Sequence, residues 1–210
     1  LHIPIEAKRV VFLIQTEKIS DFSVLELIEG MFPNKQNDFI VSIDENNVAL
    51  VKELKGDCSL SELQETAKGI CHNINTEVMA KAVVGIGTIV SNVKEIARSY
   101  KEARVALEVG KVFDDEKFIL SYEDLGIGRL IYQLPTTLCE LFLTEVFKKG
   151  SIDELDQEII FTIQKFFENN LNVSETSRQL YVHRNTLVYR LDKIQKITGL
   201  DLRVFDQAII

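Results

Sequence analysis

Basic and amide side chains are concentrated near the C-terminal end of an otherwise acidic chain. The 210 residues carry a formal net charge of −8. Between Leu171 and Arg203, six Lys/Arg stand against three Asp/Glu, a local net charge of +3, whereas the rest of the chain holds 18 Lys/Arg against 29 Asp/Glu, or −11. Because a basic surface attracts phosphates and an acidic one repels them, this segment is the candidate for binding nucleic acid.

The apolar spacing of the same segment indicates two short helices with a tight break between them. The spacing predicts a first helix over residues 173–181 and a break at residues 181–183. In the second helix, which begins at Arg184, the inward residues step by four, three and three: Leu187, Leu191, Ile194 and Ile197. Two short helices joined in this way form a helix-turn-helix, whose second helix can enter the DNA major groove.

The outward residues of this pair of helices have the side chains that DNA recognition requires. Arg can bond guanine and Asn can bond adenine through two hydrogen bonds each, so we expect Arg184 and Asn185 to read base edges. Contacts to phosphates fix position without reading sequence. The complete set of expected DNA-binding residues is Arg178, His183, Arg184, Asn185, Thr186, Tyr189, Arg190 and Lys193. The pattern alone leaves open a basic helical face that only meets water.

The residues that precede this segment predict two kinds of architecture in succession. Strand-like and helix-like segments alternate in the order β-α-β-β-α-β-α-β up to about residue 125, which predicts an α+β domain, a mixed sheet with flanking helices. The predicted strands are 10–15, 39–43, 48–51, 79–90 and 117–120, with helices at 21–32, after the Ser59–Glu62 capping box, and from Asn92 to Gly110. Beyond them the pattern is helical only, including 138–148 and a helix from a Ser-x-x-Glu box at Ser151. We therefore expect domain 1–125, a helical connector 126–150 and an all-α domain 151–210.

Composition excludes several classes of protein. The cysteines, Cys58, Cys71 and Cys139, lie 13 and 68 residues apart, a spacing that suits reduced core thiols and neither a zinc site nor a redox pair. The three histidines are equally scattered, so we expect no metal and no cofactor. No apolar run approaches the roughly 18 residues of a membrane span. The chain begins with Leu and shows no signal-peptide pattern, so we expect part of a cytoplasmic protein.

The stretch LYVHRNTLVYRLDKIQKITGLDL, residues 180–202, resembles the C-terminal helix-turn-helix of the PucR/CdaR family of bacterial transcriptional regulators. The resemblance implies a sequence-specific DNA-binding regulator, an activator, that responds to a small metabolite bound by an upstream domain. Because one helix of this size contacts only a few base pairs, we also expect a homodimer that reads two half-sites. Ser177 stands where the family usually has Ala, and we expect its buried hydroxyl to bond a carbonyl one turn back. Tyr181 occupies the turn and is expected in the left-handed region.

Residues 9–122 resemble the GGDEF-like domain of the same family, whose element order is that of diguanylate cyclases. Cyclase chemistry requires carboxylates that hold Mg²⁺ on a nucleotide triphosphate. Here Gln15 and Thr16 end the first strand, and the hairpin reads Asp44-Glu45-Asn46-Asn47, with Asn47 aligned to the catalytic Glu. The resemblance therefore implies a degenerate domain without catalysis. The lone Gly85-Ile86-Gly87 indicates a close-packed strand end rather than a phosphate loop.

Taken together, the sequence predicts a transcriptional regulator with a degenerate cyclase-like domain, for signal relay or dimerisation, and a DNA-binding domain. The main alternative is a nucleotide-binding or residually active cyclase-like enzyme whose helical tail binds a protein partner. A third possibility is a module that only mediates oligomerisation. The missing acidic pair in the hairpin favours the regulator over the enzyme.

Overall fold

The chain forms two compact units, Leu1–Gln133 and Leu134–Ile210, in a computed structural model that describes residues 4–17, 23–113, 117–147 and 155–210. The helical connector expected over residues 126–150 is therefore divided between the two units, with residues 148–150 outside the described part.

The first unit has the expected element order of strands and helices. Its strands are β1 (Arg9–Thr16), β2 (Phe39–Ser42), β3 (Asn47–Glu53), β4 (Ala82–Ile86) and β5 (Ile119–Ser121). Its helices are α1 (Val24–Met31), α2 (Leu60–Val78), α3 (Ile96–Phe113) and the short α4 (Gly128–Tyr132). The five strands form one sheet in the order β2-β3-β1-β4-β5. β4 and β5 are parallel and the other neighbours antiparallel, which confirms the predicted mixed sheet.

The central strand explains why its sequence is apolar without alternation. β1 is covered on both faces, so its residues are buried one after another, except Gln15, which is partly buried. Phe12 and Ile14 pack with residues of α1 and α2 on one face. Val11 and Leu13 pack with residues of α3 on the other.

Several boundaries differ from the sequence prediction because local geometry overrides the pattern. The strand expected over residues 79–90 is shorter, since Met79 ends α2 in the left-handed region at φ 52°. Helix α1 starts at Val24, and residues 18–22 lie outside the described part. Gly110 does not end α3, which continues to Phe113. Instead a Cβ at Gly110 would lie 2.5 Å from a Leu120 methyl, so the glycine permits close approach of helix and strand.

The strand end at residues 85–87 is close-packed, as predicted. A Cβ on Gly87 would lie 2.1 Å from the Ser99 carbonyl oxygen, and one on Gly85 would lie 2.2 Å from that of Ala103. Both contacts are to backbone of α3, which cannot move aside. These glycines therefore serve packing of α3 against the sheet.

The second unit is entirely helical within its described residues. Its helices are α5 (Thr136–Val146), α6 (Gln157–Glu168), α7 (Val173–Gln179), α8 (Arg184–Thr198) and α9 (Phe205–Ala208). The capping box expected at Ser151 lies outside the described part. Helix α6 is instead capped by Asp156, whose Oδ1 accepts a hydrogen bond of 2.8 Å from the Ile159 N–H.

Candidate nucleic-acid interface

Helices α6, α7 and α8 pack around one apolar core that fixes the helix-turn-helix. Phe166 of α6 and both Leu187 and Leu191 of α8 are fully buried, and Ile194 joins them. Three of the four residues predicted to face inward on α8 are therefore confirmed as buried, whereas Ile197 is only partly buried. Fully burying side chains of this size stabilises a fold by about 1.5–3 kcal/mol each, so α8 is held firmly along its inner face.

The turn between α7 and α8 has the conformation expected from its sequence. Tyr181 lies in the left-handed region at φ 54°, and its side chain is 97% exposed. Its neighbour Val182 donates its N–H to the Ser177 carbonyl at 3.0 Å, which closes the turn. The buried Ser177 hydroxyl donates to the Ser174 carbonyl at 3.0 Å, as predicted.

His183 caps α8, the second helix of the helix-turn-helix. Its ring Nδ1 accepts a hydrogen bond of 3.2 Å from the backbone N–H of Asn185, the role usually taken by Ser, Thr, Asp or Asn. A ring nitrogen that accepts carries no proton, so the neutral ring has its proton on Nε2. The exposed His183 ring can therefore donate a hydrogen bond outward while it caps α8.

The first turns of α8 present the residues expected to read DNA. Arg184, Asn185 and Thr186 are exposed, and Tyr189 is 68% exposed one turn later. Positions three and four apart share one side of a helix, so Tyr189 lies beside both Asn185 and Thr186. The unpaired N–H groups at a helix start favour phosphate, which suits this end of α8 for the DNA backbone. Arg178 of α7 is also exposed, although its guanidinium pairs with Glu175 at 2.9 Å.

The expectation that Arg190 lies on the outward face is wrong. Its side chain is only 13% exposed, and its guanidinium donates to the Thr162 hydroxyl at 3.1 Å and to the Glu158 carboxylate. Both partners belong to α6, so Arg190 links the recognition helix to the helix behind it. The helical wheel missed this because Arg190 lies at the edge of the apolar stripe, where a long side chain turns toward the neighbouring helix.

Lys193 is also engaged within the unit. Its ammonium donates to the Asp156 carboxylate at 2.8 Å. The pairing lowers the pKa of Asp156, with Lys193 the largest cause, and raises the pKa of Lys193. Asp156, Glu158 and Thr162 are thus partners of α8 that the sequence pattern did not reveal, because they lie 28 to 37 residues away in the chain.

At the end of β1 in the first unit, two amide side chains lie together, Gln15 and Asn47, where the resemblance to cyclases implies carboxylates. Gln15 and Asn47 are direct neighbours in the β1–β3 register, and the Gln15 amide donates to Asn47 Oδ1 at 3.2 Å. Lys111 of α3 donates to Gln15 Oε1, which adds a positive charge to the same place. In the described part of the chain, no His/Cys/Asp/Glu group is arranged to hold a metal.

Fold and site together define a protein with a cyclase-like α+β unit followed by a helix-turn-helix unit. Residues 1–109 match the model of the GGDEF-like domain, and residues 160–209 match that of the PucR C-terminal helix-turn-helix domain. The chain belongs to the PucR/CdaR family of bacterial transcriptional regulators. None of its described helices has the length and apolar character to span a bilayer.

Similar proteins are regulators that are much longer than this chain. The purine catabolism regulatory protein of Bacillus subtilis is 26% identical over 89% of this chain and 36% of its own length. The carbohydrate diacid regulator of Escherichia coli is 32% identical over 60% of this chain and 33% of its own length. The DNA-binding transcriptional activator AdeR of B. subtilis is 27% identical over 80% of this chain and 41% of its length. The chain thus spans about a third to two fifths of these relatives.

A solved structure, the regulator of polyketide synthase expression from Bifidobacterium adolescentis, covers 97% of this chain and 77% of its own, with 15% identity and a TM-score of 0.43.

Proposed function

We propose that this chain is the DNA-binding part of a cytoplasmic transcriptional activator, with α8 as the helix that enters the major groove. The observation that carries the proposal is the division of α8 into two sides. Its exposed first turn presents Arg184, Asn185 and Thr186 beyond the His183 cap. Its rear is held by buried leucines and by the Arg190 ion pair.

This division suits the two tasks of a recognition helix. Base edges are read through two hydrogen bonds per side chain, which requires a helix held at a fixed depth and rotation. Arg184 and Asn185 supply the reading groups. Thr186, Tyr189, Arg178 and the outward Nε2–H of His183 supply contacts to phosphates, which set the register.

The ion pairs of Arg190 and Lys193 lower the number of cations that we expect at the DNA. Arg178 and Arg184 are the cations that we expect near the DNA backbone, and one or two neutralised phosphates at about −0.9 each give a log–log salt slope of roughly −1 to −2 per helix. A slope near −4 per helix would mean that Arg190 and Lys193 leave Glu158 and Asp156 for DNA.

We propose further that the functional species is a homodimer. One recognition helix contacts a few base pairs, and at about 1–3 kcal/mol per base pair it cannot single out one genomic site. Two copies related by a two-fold axis place their helices about 34 Å apart, in successive major grooves on one face of the duplex. The DNA would then contain two symmetric half-sites.

The first unit is proposed to relay a signal rather than to catalyse cyclisation. Amides at Gln15 and Asn47 and the ammonium of Lys111 oppose binding of Mg²⁺, which prefers carboxylate and phosphate oxygens. The relatives' names mention purine catabolism and carbohydrate diacids, which supports a metabolite effector for the whole protein, bound by a domain upstream of this chain.

Footprinting with the intact protein tests this proposal, after its preferred DNA has been selected from a random pool. The expected result is protection of two symmetric half-sites whose centres are about 10 base pairs, or a multiple of that, apart. Protection of one half-site alone would contradict the dimer. Failure to select any sequence at low salt would contradict sequence-specific binding.

A further inference from the structure

Two adjoining cavities open beside the amide pair at the end of β1. The larger has a volume of about 620 Å³ and the smaller about 460 Å³, and three side chains line both, namely Gln15, Asn47 and Lys111. Ligand pockets usually measure about 300–1,000 Å³ and contain a few convergent polar groups. Both cavities are lined by residues of the first unit.

The polar groups between the cavities form a chain that fixes their orientation. Lys111 donates to Gln15, and Gln15 donates to Asn47 at 3.2 Å. The Asn47 amide in turn donates to both carboxylate oxygens of Asp44, at 2.9 and 2.8 Å. Because Gln15, Asn47 and Asp44 each accept a hydrogen bond, this series of bonds holds the Lys111 ammonium in place without a metal ion.

The carboxylate at the end of the chain is occupied by the hairpin itself. Asp44 also accepts from the Asn46 backbone N–H at 2.8 Å, and this bond is the largest cause that lowers its pKa. Asp44 is therefore a structural group of the turn. Neither it nor the amides offer the free carboxylates that a divalent cation requires.

The larger cavity is lined by both positively charged and apolar side chains. Lys81 and Lys111 line it together with one acid, Glu17, while Phe118 and Val83 supply an apolar wall. The Phe118 ring is 46% exposed, which leaves a face available for contact. A flat apolar body with an anionic group matches these two kinds of side chain, since ammonium groups bond carboxylate and phosphate oxygens through short charge-assisted hydrogen bonds.

The Asn46 side chain indicates that the ligand carries a hydrogen-bond donor. Asn46 lines the larger cavity, and its Oδ1 is shielded from solvent without a hydrogen-bond partner in the described part of the structure. Such an acceptor is costly to leave unpaired, and unpaired polar atoms call for an explanation. If the Asn46 side chain turns its oxygen into the cavity, a ligand that donates an N–H or O–H would satisfy this acceptor.

We propose that the larger cavity binds a small organic anion, a carboxylate or phosphate ester with a flat apolar body and one N–H or O–H donor. Lys111 and Lys81 hold the anionic group, Phe118 contacts the body, and Asn46 accepts from the donor. The site lies at the end of β1, where the resemblance to cyclases implies a metal site and where this chain has the Lys111 ammonium bonded to Gln15. Binding at this site does not depend on the proposed DNA binding and is tested separately.

Amide NMR titration of the chain in the presence of a chelator tests the proposal. The probes are 4-hydroxybenzoate, 4-hydroxyphenyl phosphate and the neutral 4-hydroxybenzamide, each at millimolar concentration. We expect saturable shifts of the Asn46, Asn47 and Phe118 amides with at least one anion, and binding of the amide weaker by about tenfold, the typical loss of one charged hydrogen bond. A response to the carboxylate alone, the phosphate alone or both defines the anionic group.

Variants separate the site from non-specific binding. Lys111→Met should weaken the anion by about tenfold or more. Lys81→Met, at an exposed position, provides a second measurement if the first variant does not fold. Lys68→Met is the matched control, because that lysine lies on α2, pairs with Glu65 and does not line the cavity. Unchanged affinity in both cavity variants, or no saturable shift with either anion, would overturn the proposal.

Discussion

Replacing Arg190 by Ala should destabilise the helix-turn-helix rather than remove a DNA contact. Arg190 is 13% exposed and bonded to two side chains of α6, whereas Arg184, six residues earlier, is exposed and has no hydrogen bond or ion pair among the described residues. The two arginines therefore provide a matched pair on one helix. One is expected to act on stability and the other on recognition.

The magnitude follows from the surroundings of each bond. The hydrogen bond from the charged guanidinium to Thr162, whose side chain is fully buried, contributes about 1.5–3 kcal/mol. The Glu158 carboxylate is 66% exposed, so its ion pair adds at most about 1 kcal/mol. We expect Arg190→Ala to lower the free energy of unfolding by about 2–3 kcal/mol, and the Tm of a small unit by roughly 10 °C or more.

Thermal denaturation followed by circular dichroism, with DNA titration of the same samples, checks this prediction. Arg184→Ala should change the free energy of unfolding by less than about 0.5 kcal/mol, as expected for an exposed position. Glu158→Gln should lie between the two variants, because it removes only the exposed pair. If Arg190→Ala melts like the unmodified protein and loses DNA affinity as Arg184→Ala does, Arg190 faces DNA and the reasoning is refuted.

Three further predictions concern the core, the first unit and the thiols. Leu191→Ala should cost about 2–5 kcal/mol of stability by opening a cavity in the helical core, measured by urea denaturation; a cost near zero would contradict the burial of that face. Incubation with GTP and Mg²⁺ should yield no cyclic dinucleotide above a protein-free control, because Gln15 and Asn47 cannot supply the required charge. Burial raises the pKa of the Cys71 thiol to about 11. At pH 8 its thiolate is therefore rare, and iodoacetamide should modify it far more slowly in the folded chain than in urea; equal rates would contradict its burial.

The sequence predicted the features that depend on local periodicity. The order of strands and helices, the inward face of α8, the left-handed Tyr181 and the Ser177 hydroxyl bond all follow from residues within one or two turns of each other. Such features are encoded by spacing and by local hydrogen bonding.

Contacts between distant residues could not be predicted in this way. The Arg190 bond to Glu158 spans 32 residues and the Lys111 bond to Gln15 spans 96. The sequence predicts that Gly110 ends α3. In the structure the residue lies inside α3, and its lack of a side chain leaves room for Leu120 of β5. The pattern of apolar and polar residues along the chain indicates which residues face inward or outward. A long side chain at the edge of an apolar face, however, bonds to partners that only the tertiary fold brings near.

The first turn of α8 is expected to read DNA sequence through Asn185. Fluorescence anisotropy with the selected DNA and a scrambled duplex, at fixed salt, tests it most directly with Asn185→Ala. Its matched control is Arg98→Ala, an exposed residue of α3 in the first unit. We expect Asn185→Ala to weaken the selected DNA by about 1–3 kcal/mol and to leave scrambled DNA nearly unchanged, with Arg98→Ala like the unmodified protein. Equal affinity of the Asn185→Ala and unmodified proteins for the selected DNA would contradict the account.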